Sequence, residues 1–153
     1  MSKLIAYTDG AYKHWTGVGG WAWALVKENC LVESFGAKSV NTTSNRMEYT
    51  ALIDVIEKHG YLLEIIFTDS QLLVNTCNIW RHNWKQKEWK KKKGEIKNLD
   101  LVLKIDELLN RYEIKIEWVK AHNGNEWNEL VDEIANNHAG IEDHFKYFGG
   151  KNN

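Results

Sequence analysis

The sequence predicts an α/β fold built on an open sheet. Short apolar runs with strand character alternate along the chain with amphipathic stretches at helical spacing. Acidic residues follow two of the apolar runs directly, Asp9 after 4–8 and Asp69 after 65–68. The chain has 153 residues, which matches the usual size of one domain with one core. Short turns separate the first three strands, so we expect these to form an antiparallel meander.

The elements are expected in a defined order along the chain. Four polar residues at 42–45 supply good helix caps, and the last strand ends in a polar loop at 120–124 that suits a mobile catalytic residue. The predicted strands cover 4–8, 19–27, 31–37, 64–68 and 113–119. The predicted helices cover 44–59 with an end near Gly60, 70–84, 98–109 and 126–138.

Four carboxylates occupy unusual places in this pattern. Asp9 and Asp69 stand where buried strands are expected to stop, which is where open α/β sheets form ligand sites. Glu48 shares a helix face with apolar residues, although a buried charge is costly without a partner. Asp132 lies beside the apolar stripe of the last helix. Converging anions repel one another unless a cation joins them, so the pattern favours a metal site. The alternative for Glu48 is a snorkelling side chain or an ion pair with Arg46.

Positive charge is concentrated in one segment, residues 80–97. It contains eight Lys or Arg and two Glu, a net charge of +6, while the whole chain carries −1 and the remainder therefore −7. Trp80, Trp84 and Trp89 are interleaved with these lysines. Basic residues attract phosphates and aromatic rings pack on sugars or bases, so the segment indicates nucleic-acid binding. The alternative is a solvated lysine face with its tryptophans in the core.

Other classes of protein are disfavoured. No charged-then-apolar leader begins the chain and no apolar run approaches the ~18 residues that span a bilayer, so we expect a soluble cytoplasmic protein without a membrane partner. Cys30 and Cys77 lack metal-ligand spacing and are expected to be reduced residues in or near the core.

Five short motifs together resemble the bacterial type 1 ribonuclease H family. The resemblance covers nearly the whole chain up to His138. Each motif is weak alone, but their joint order is specific: Tyr7-Thr8-Asp9-Gly10, Thr42-Thr43-Ser44-Asn45-Arg46-Met47-Glu48, Thr68-Asp69-Ser70-Gln71, Trp118-Val119-Lys120-Ala121-His122 and Asn128-Glu129-Leu130-Val131-Asp132. It implies a five-stranded mixed sheet, three antiparallel strands then two parallel ones, with helices on both faces. It also implies a catalytic domain over 1–139 with a basic protrusion at about 80–97, followed by a tail over 140–153.

The resemblance implies an endonuclease that hydrolyses the RNA strand of RNA·DNA hybrids. Asp9, Glu48, Asp69 and Asp132 would hold two Mg²⁺ ions, with Mn²⁺ as a substitute, and His122 would assist proton movement or product departure. The expected products carry 5′-phosphate and 3′-hydroxyl ends. The chemistry agrees, since phosphodiester cleavage is served by two cations and Mg²⁺ prefers hard oxygen ligands. Carboxylates without cysteine or histidine ligands argue against structural zinc.

The same resemblance implies contacts with both strands of a hybrid. Ser44, Asn45 and Gln71 match RNA-strand contacts, and Thr43 and Asn98 match a DNA-phosphate pocket. The DNA side of the hybrid would lie along the basic protrusion, with candidates Trp80, Trp84, Lys85, Lys87, Trp89 and Lys90. The alternative is that the residues at helix starts only cap their helices.

Two positions depart from the familiar pattern, and two other functions remain open. Trp15 stands at an asparagine-like position and Asn41 replaces a frequently basic residue, so one RNA contact and the grip on DNA phosphate are in doubt. A relative on the same fold could be a structure-specific DNA nuclease or a reverse transcriptase domain. A nucleic-acid-binding protein without activity is the other alternative, although it gains nothing from four repelling carboxylates. We expect a monomer.

Overall fold

A five-stranded mixed sheet forms the centre of the protein. The computed structural model describes residues 3–91 and 94–140, so Lys92, Lys93 and the predicted tail beyond Gly140 lie outside the described residues. The strands lie in the order β3-β2-β1-β4-β5. The first three pair antiparallel, and β4 is parallel to β1 and to β5, which confirms the predicted fold class. Their bounds are β1 Leu4–Lys13, β2 Val18–Lys27, β3 Cys30–Val40, β4 Leu63–Thr68 and β5 Lys115–Trp118.

In the part of the chain that the structure describes, five α-helices connect and cover these strands. Their bounds are α1 Ser44–His59, α2 Gln71–Asn75, α3 Arg81–Gln86, α4 Leu99–Arg111 and α5 Glu126–Ala139. Thr43 caps α1 by accepting a hydrogen bond from the Arg46 amide at 3.2 Å, and Gly60 follows the helix end, as predicted. A 3₁₀ turn covers Gly60–Leu62, and a π-helical turn over Thr76–Trp80 interrupts the predicted single helix between α2 and α3. Within 3–91 and 94–140, none of the helices combines the length and the apolar character needed to cross a bilayer.

The sheet separates two cores because the strand side chains alternate between its faces. On β2, the large residues Trp21, Trp23 and Leu25 face the cluster that contains α1 and α4. The small residues Ala22 and Ala24 face α5 and its buried Val131, Ala135 and Ala139. The two faces of one strand therefore accept helices at different depths.

The close seating of α5 depends on a glycine in β2. A Cβ at Gly20 would lie 2.1 Å from the Ala135 carbonyl oxygen and 2.6 Å from the Ala139 amide nitrogen. Such distances require backbone movement, so only glycine allows this packing. Since α5 carries Asp132, Gly20 helps to set the height of that carboxylate above the sheet.

Two sequence-based predictions were wrong. Asp9 does not end its strand, because β1 continues to Lys13 through antiparallel pairs such as Asp9 with Ala22 and Lys13 with Val18. What ends near Asp9 is the parallel pairing with β4, whose last pair is Thr8 with Thr68. Cys30 is exposed at the start of the edge strand rather than in or near the core, whereas Cys77 is buried and both are free thiols.

Candidate active site

Three carboxylates converge beside the last parallel pair between β1 and β4. Asp9 directly follows Thr8 in β1, and Asp69 directly follows Thr68 at the end of β4. Glu48 comes from α1. Carboxylate oxygens of Asp9, Glu48 and Asp69 all lie within 4.8 Å of one another. Three acids that are distant in sequence therefore form one small cluster.

Gly10 permits α1 to approach the strand. A Cβ at this position would lie 2.6 Å from the Glu48 amide nitrogen and 2.7 Å from the Met47 carbonyl carbon. Any other residue would push the first turns of α1 away from β1. The Gly10 amide also donates to Asp9 Oδ1 at 2.9 Å, which fixes one carboxylate oxygen.

The cluster is buried and electrostatically strained. Asp9 is 3% exposed and Glu48 8%, and Glu48 Oε1 is buried without a hydrogen-bond partner among the described residues. Burial, then repulsion from Glu48, Asp69 and Asp132, raises the pKa of Asp9 well above its usual value. Burial followed by repulsion from Asp69 raises the pKa of Glu48 in the same way.

The donor set fits a divalent cation. Carboxylate oxygens in a group this compact are the hard ligands that Mg²⁺ and Mn²⁺ prefer. A bound cation would satisfy the orphaned Glu48 oxygen and would stabilise the charged carboxylates, which burial and mutual repulsion disfavour. Among the residues that the structure describes, no lysine or arginine forms an ion pair with Asp9, Glu48 or Asp69, so the protein itself supplies no such counter-charge there.

Asp132 approaches from the opposite face of the sheet. It is half-buried on α5, and Asn136 Nδ2 donates to its Oδ1 at 3.1 Å. Its charge contributes to the raised pKa of Asp9, which places it close to that residue. It does not belong to the group whose oxygens lie within 4.8 Å of one another. The fourth acid is therefore a neighbour of Asp9 rather than a member of the tight cluster.

Asn128 orients Asp69, a contact that the sequence reasoning missed. It is 2% exposed, and its Nδ2 donates to Asp69 Oδ2 at 3.3 Å. Burial raises the pKa of Asp69, while this hydrogen bond opposes the shift because it stabilises the charged form. The available signal was a polar residue three positions before Val131 on the buried face of α5, the same kind of signal that singled out Glu48.

His122 lies exposed in the loop between β5 and α5 with a left-handed backbone, φ 54°. Among the described residues, His122 forms no hydrogen bond to the acids. Its charge nevertheless acts to lower the pKa of Asp69, against the larger effect of burial, so the loop brings the imidazole to the side of the cluster where Asp69 lies.

The predicted nucleic-acid contacts form two groups, one at the starts of helices and one along the basic protrusion. Thr43, Ser44, Asn45 and Gln71 are exposed at the starts of α1 and α2. A cavity of about 160 Å³ lies beside them, between α1 and the π turn. The residues that line it are Asn45, Tyr49, Leu72, Trp80, Trp84, Lys91, Ile96, Lys97 and Asn98.

The tryptophans of the basic protrusion are neither wholly core nor wholly surface. Trp84 and Trp89 are half-buried and pack against the core cluster on the α1 face. Trp80 is half-buried too, and its ring lies 6.0 Å from that of Trp84 at an angle of 43°. Lys87 and Lys90 are exposed, whereas Lys85 forms an ion pair with Asp106 at 2.8 Å. Exposed lysines therefore stand beside half-buried tryptophans, and neither nucleic-acid binding nor the alternative of a solvated lysine face with core tryptophans is decided by this packing.

Asn98 and the two departures have distinct surroundings. Asn98 precedes α4 in a left-handed conformation, φ 58°, without capping it, and its Oδ1 accepts a hydrogen bond from Arg46 Nη1 at 3.2 Å. Trp15 is 68% exposed, with Lys13 Nζ 5.8 Å from its ring centre. Asn41 is exposed with φ 52°.

Comparison with known proteins identifies the family. The RNase H family model matches residues 1–140. A curated ribonuclease H of Francisella tularensis subsp. novicida is 42% identical over 137 residues, which cover 88% of this chain and 90% of the relative. The chain belongs to the ribonuclease H family. A ribonuclease H of Francisella philomiragia is 41% identical over the same shares of both chains. Membership makes the protein a nuclease of the phosphodiester hydrolase class.

Solved structures of ribonucleases H agree with this assignment. The crystal structure of LC9-RNase H1, described as a type 1 RNase H with the type 2 active-site motif, is 26% identical with a TM-score of 0.78 and covers 92% of this chain and 73% of that one. The prototype foamy virus RNase H domain has a TM-score of 0.78 at 21% identity over 91% of this chain and 95% of that one, which shows the shared fold. A foamy viral protease-reverse transcriptase in complex with an RNA/DNA hybrid has a TM-score of 0.80 at 16% identity over 90% of this chain and 20% of that one.

Proposed function

We propose that this ribonuclease H is a metal-dependent endonuclease that hydrolyses the RNA strand of RNA·DNA hybrids. The observation that carries the proposal is the cluster of buried Asp9 and Glu48 with half-buried Asp69, which offer one carboxylate oxygen each within 4.8 Å of one another. Family membership supports the reaction class. In this proposal residues 1–139 form the catalytic domain, 80–97 form its basic protrusion, and the enzyme acts as a cytoplasmic monomer.

The metal ligands are proposed to be the four acids predicted from sequence. Asp9, Glu48 and Asp69 would form the main ligand set, with Asp132 completing it from α5. Two bound Mg²⁺ ions, or Mn²⁺ in their place, would supply an activated water, neutralise phosphoryl charge and stabilise the leaving oxygen, which gives 5′-phosphate and 3′-hydroxyl ends.

Residues around the acids prepare the reaction. The Gly10 amide holds Asp9 and the Asn128 amide holds Asp69, so both carboxylates are oriented before substrate binds. Among the described residues, His122 forms no hydrogen bond to the acids, and it lies in an exposed loop from which its charge acts on Asp69. We assign it the transfer of a proton between the departing product and solvent.

Recognition of the hybrid is proposed to use both groups of predicted contacts. Ser44, Asn45 and Gln71 would contact the RNA strand, where 2′-hydroxyls distinguish RNA from DNA. Thr43 and Asn98 would bind a DNA phosphate, and the free amides at the start of α1 suit such an anion. The DNA strand would continue along Trp80, Trp84, Lys85, Lys87, Trp89 and Lys90.

A cleavage assay with a labelled hybrid tests the proposal. We expect cutting of the RNA strand that requires Mg²⁺ or Mn²⁺, with duplex RNA and duplex DNA cut far more slowly. Asp69→Asn should abolish cleavage, and His122→Asn, which tolerates the left-handed backbone, should lower kcat about tenfold to a hundredfold with little change in KM. Intact hybrid after incubation with folded protein and metal would contradict the enzyme claim, and faster cutting of duplex DNA would point to a DNA nuclease instead.

A further inference from the structure

The helix that leads into the basic protrusion contains a π-helical turn over Thr76–Trp80. At its end, the Arg81 amide donates to the Thr76 carbonyl, five residues back, rather than to the Cys77 carbonyl as in an α-helix. Each such turn adds a residue to the helix and rotates the helical residues beyond it. The direction in which α3 presents its side chains therefore depends on this turn being kept.

The Arg81 side chain fastens the π turn. Its Nε donates to the Cys77 carbonyl at 2.6 Å. In an α-helix this carbonyl would accept from the Arg81 backbone amide, so here the Arg81 side chain replaces that bond. Arg81 is 8% exposed, which is unusual for a residue of this charge. Its hydrogen bonds therefore form in a poorly hydrated environment, where they resist displacement by water.

Asp106 connects this arginine to a different element. Asp106 Oδ1 accepts from Arg81 Nη1 at 2.7 Å, and Asp106 Oδ2 contacts Lys85 Nζ at 2.8 Å. Asn110 Nδ2 donates to Asp106 Oδ2 at 3.2 Å. Both carboxylate oxygens are thus occupied, and two residues one turn apart on α3 are held to α4.

The other side of the same turn carries the aromatic wall of the 160 Å³ cavity. Trp80 immediately precedes Arg81, and Trp84 immediately precedes Lys85. Both tryptophans line the cavity together with Asn45 and Asn98, whereas Arg81 and Asp106 do not. The pair of charges therefore faces away from the cavity and fixes the rotation of the helix that forms its wall.

We propose that Arg81 and Asp106 are positioning residues that hold Trp80 and Trp84 in the geometry that binds the RNA·DNA hybrid. This inference rests on the proposed function. A buried ion pair is often no more stabilising than well-packed apolar residues of similar volume, so the pair is explained better by the direction it imposes on α3 than by stability. The pair acts on substrate affinity through Trp80 and Trp84, which line the cavity. It does not act on the chemical step, because Arg81 and Asp106 are not among the clustered acids Asp9, Glu48 and Asp69.

Steady-state cleavage of a labelled hybrid in Mg²⁺ tests this assignment. Arg81→Met roughly keeps the side-chain volume and leaves Lys85 paired with Asp106. It removes the hydrogen bonds from Arg81 to the Cys77 carbonyl, Asp106 and Asn110. We expect KM to rise about tenfold while kcat stays within about twofold of the wild-type value. Glu107→Gln is the matched control, because Glu107 is an exposed ion-pair residue next to Asp106 on α4, and both constants should stay unchanged.

The melting temperature of each variant is measured alongside its kinetics, and all assays are run well below the lowest melting temperature. A folded Arg81→Met variant with the wild-type KM would overturn the inference, as would a fall in kcat at constant KM. If Arg81→Met does not fold, Arg81→Lys retains a cation facing Asp106 and should show a smaller rise in KM, and an unchanged KM there would overturn the inference. Failure of the wild-type enzyme to cut the hybrid would instead defeat the proposed function.

Discussion

Asp9 is the residue at which the demands of folding and of its proposed catalytic role conflict most directly. It is buried, and three other acids contribute to its raised pKa. A group whose pKa is higher in the folded than in the unfolded chain favours folding at low pH and loses that contribution as the pH rises through the folded pKa. At neutral pH, the metal-free protein therefore carries a free-energy cost for keeping Asp9 charged.

Replacing Asp9 with Asn should remove that cost together with activity. In chelator at neutral pH, we expect the free energy of unfolding to rise by about 1 kcal/mol, as is common when a functional site is relieved of strain. Urea denaturation with and without chelator measures it. The gain should shrink on acidification, since the wild-type carboxyl becomes protonated there.

Glu64→Gln serves as the control for this comparison, because Glu64 is an exposed acid near the start of β4 and outside any helix, so its neutralisation should leave stability nearly unchanged. A lower stability of Asp9→Asn in chelator would contradict the electrostatic account of the site.

Single residues also show which features of the site could be predicted from sequence. Glu48 could be predicted because its place on an apolar helix face conflicts with its charge, and that conflict is visible in a local pattern. The close approach of α1 to β1 at Gly10 could not be predicted, because it depends on the backbone of α1, which is some forty residues away in sequence. Asn128 carried the same signal as Glu48 and was missed because an amide is a less costly buried group than a carboxylate.

At the scale of elements, the junction of α3 and α4 is held by charge as well as by apolar packing. Burial opposes ionisation of Asp106, but hydrogen bonds and charge from Lys85 and Arg81 outweigh it and lower its pKa. A carboxyl with a lowered folded pKa contributes stability above the pKa of the unfolded chain and loses it as the pH falls through the folded value.

Asp106→Asn should therefore destabilise the protein in a pH-dependent way. Near pH 7 we expect a loss of about 3 kcal/mol, because Arg81 is left buried without a counter-charge. Below the ordinary carboxyl pKa of about 4 the difference from wild type should become smaller. Urea unfolding followed by circular dichroism across this range measures it, and a loss that is independent of pH would contradict the ion-pair account.

Element boundaries show why part of the fold was not predictable. The helix over α1 was predicted from capping residues and Gly60, which are local signals. The continuation of β1 to Lys13 was missed because residues after Asp9 lack apolar alternation, and pairing with β2 alone extends the strand. The link from Arg81 to Asp106 joins positions 25 residues apart, and no local pattern reports such a link.

For the whole molecule, charge separation should govern how substrate is attracted. The segment over 80–97 carries +6 and the remainder −7. Phosphate contacts release counterions, so binding weakens with salt in proportion to the number of contacts.

Replacing Lys87 and Lys90 with Gln should flatten the salt dependence of hybrid binding. The slope of log affinity against log salt should fall by roughly 0.7–0.9 for each phosphate that the lysines no longer neutralise. The matched control is the pair Lys27 and Lys115, which are exposed at the ends of β2 and β5 away from the carboxylates. Fluorescence anisotropy of labelled hybrid over a salt series measures the slope, and equal slopes for both double variants would make Lys87 and Lys90 ordinary surface residues.

The seating of α5 on Gly20 has a consequence for how the enzyme is made. The strands that α5 covers are synthesised first, and the helix begins at Glu126, 99 residues after β2 ends at Lys27. Until then, Ala22 and Ala24 face no partner helix, and the proposed ligand set lacks both Asp132 and the Asn128 that orients Asp69. A chain still emerging from the ribosome thus holds an incomplete centre. Under the proposed function, folding of the last helix completes the ligand set, and we expect a chain that stops before Glu126 to leave the hybrid uncut.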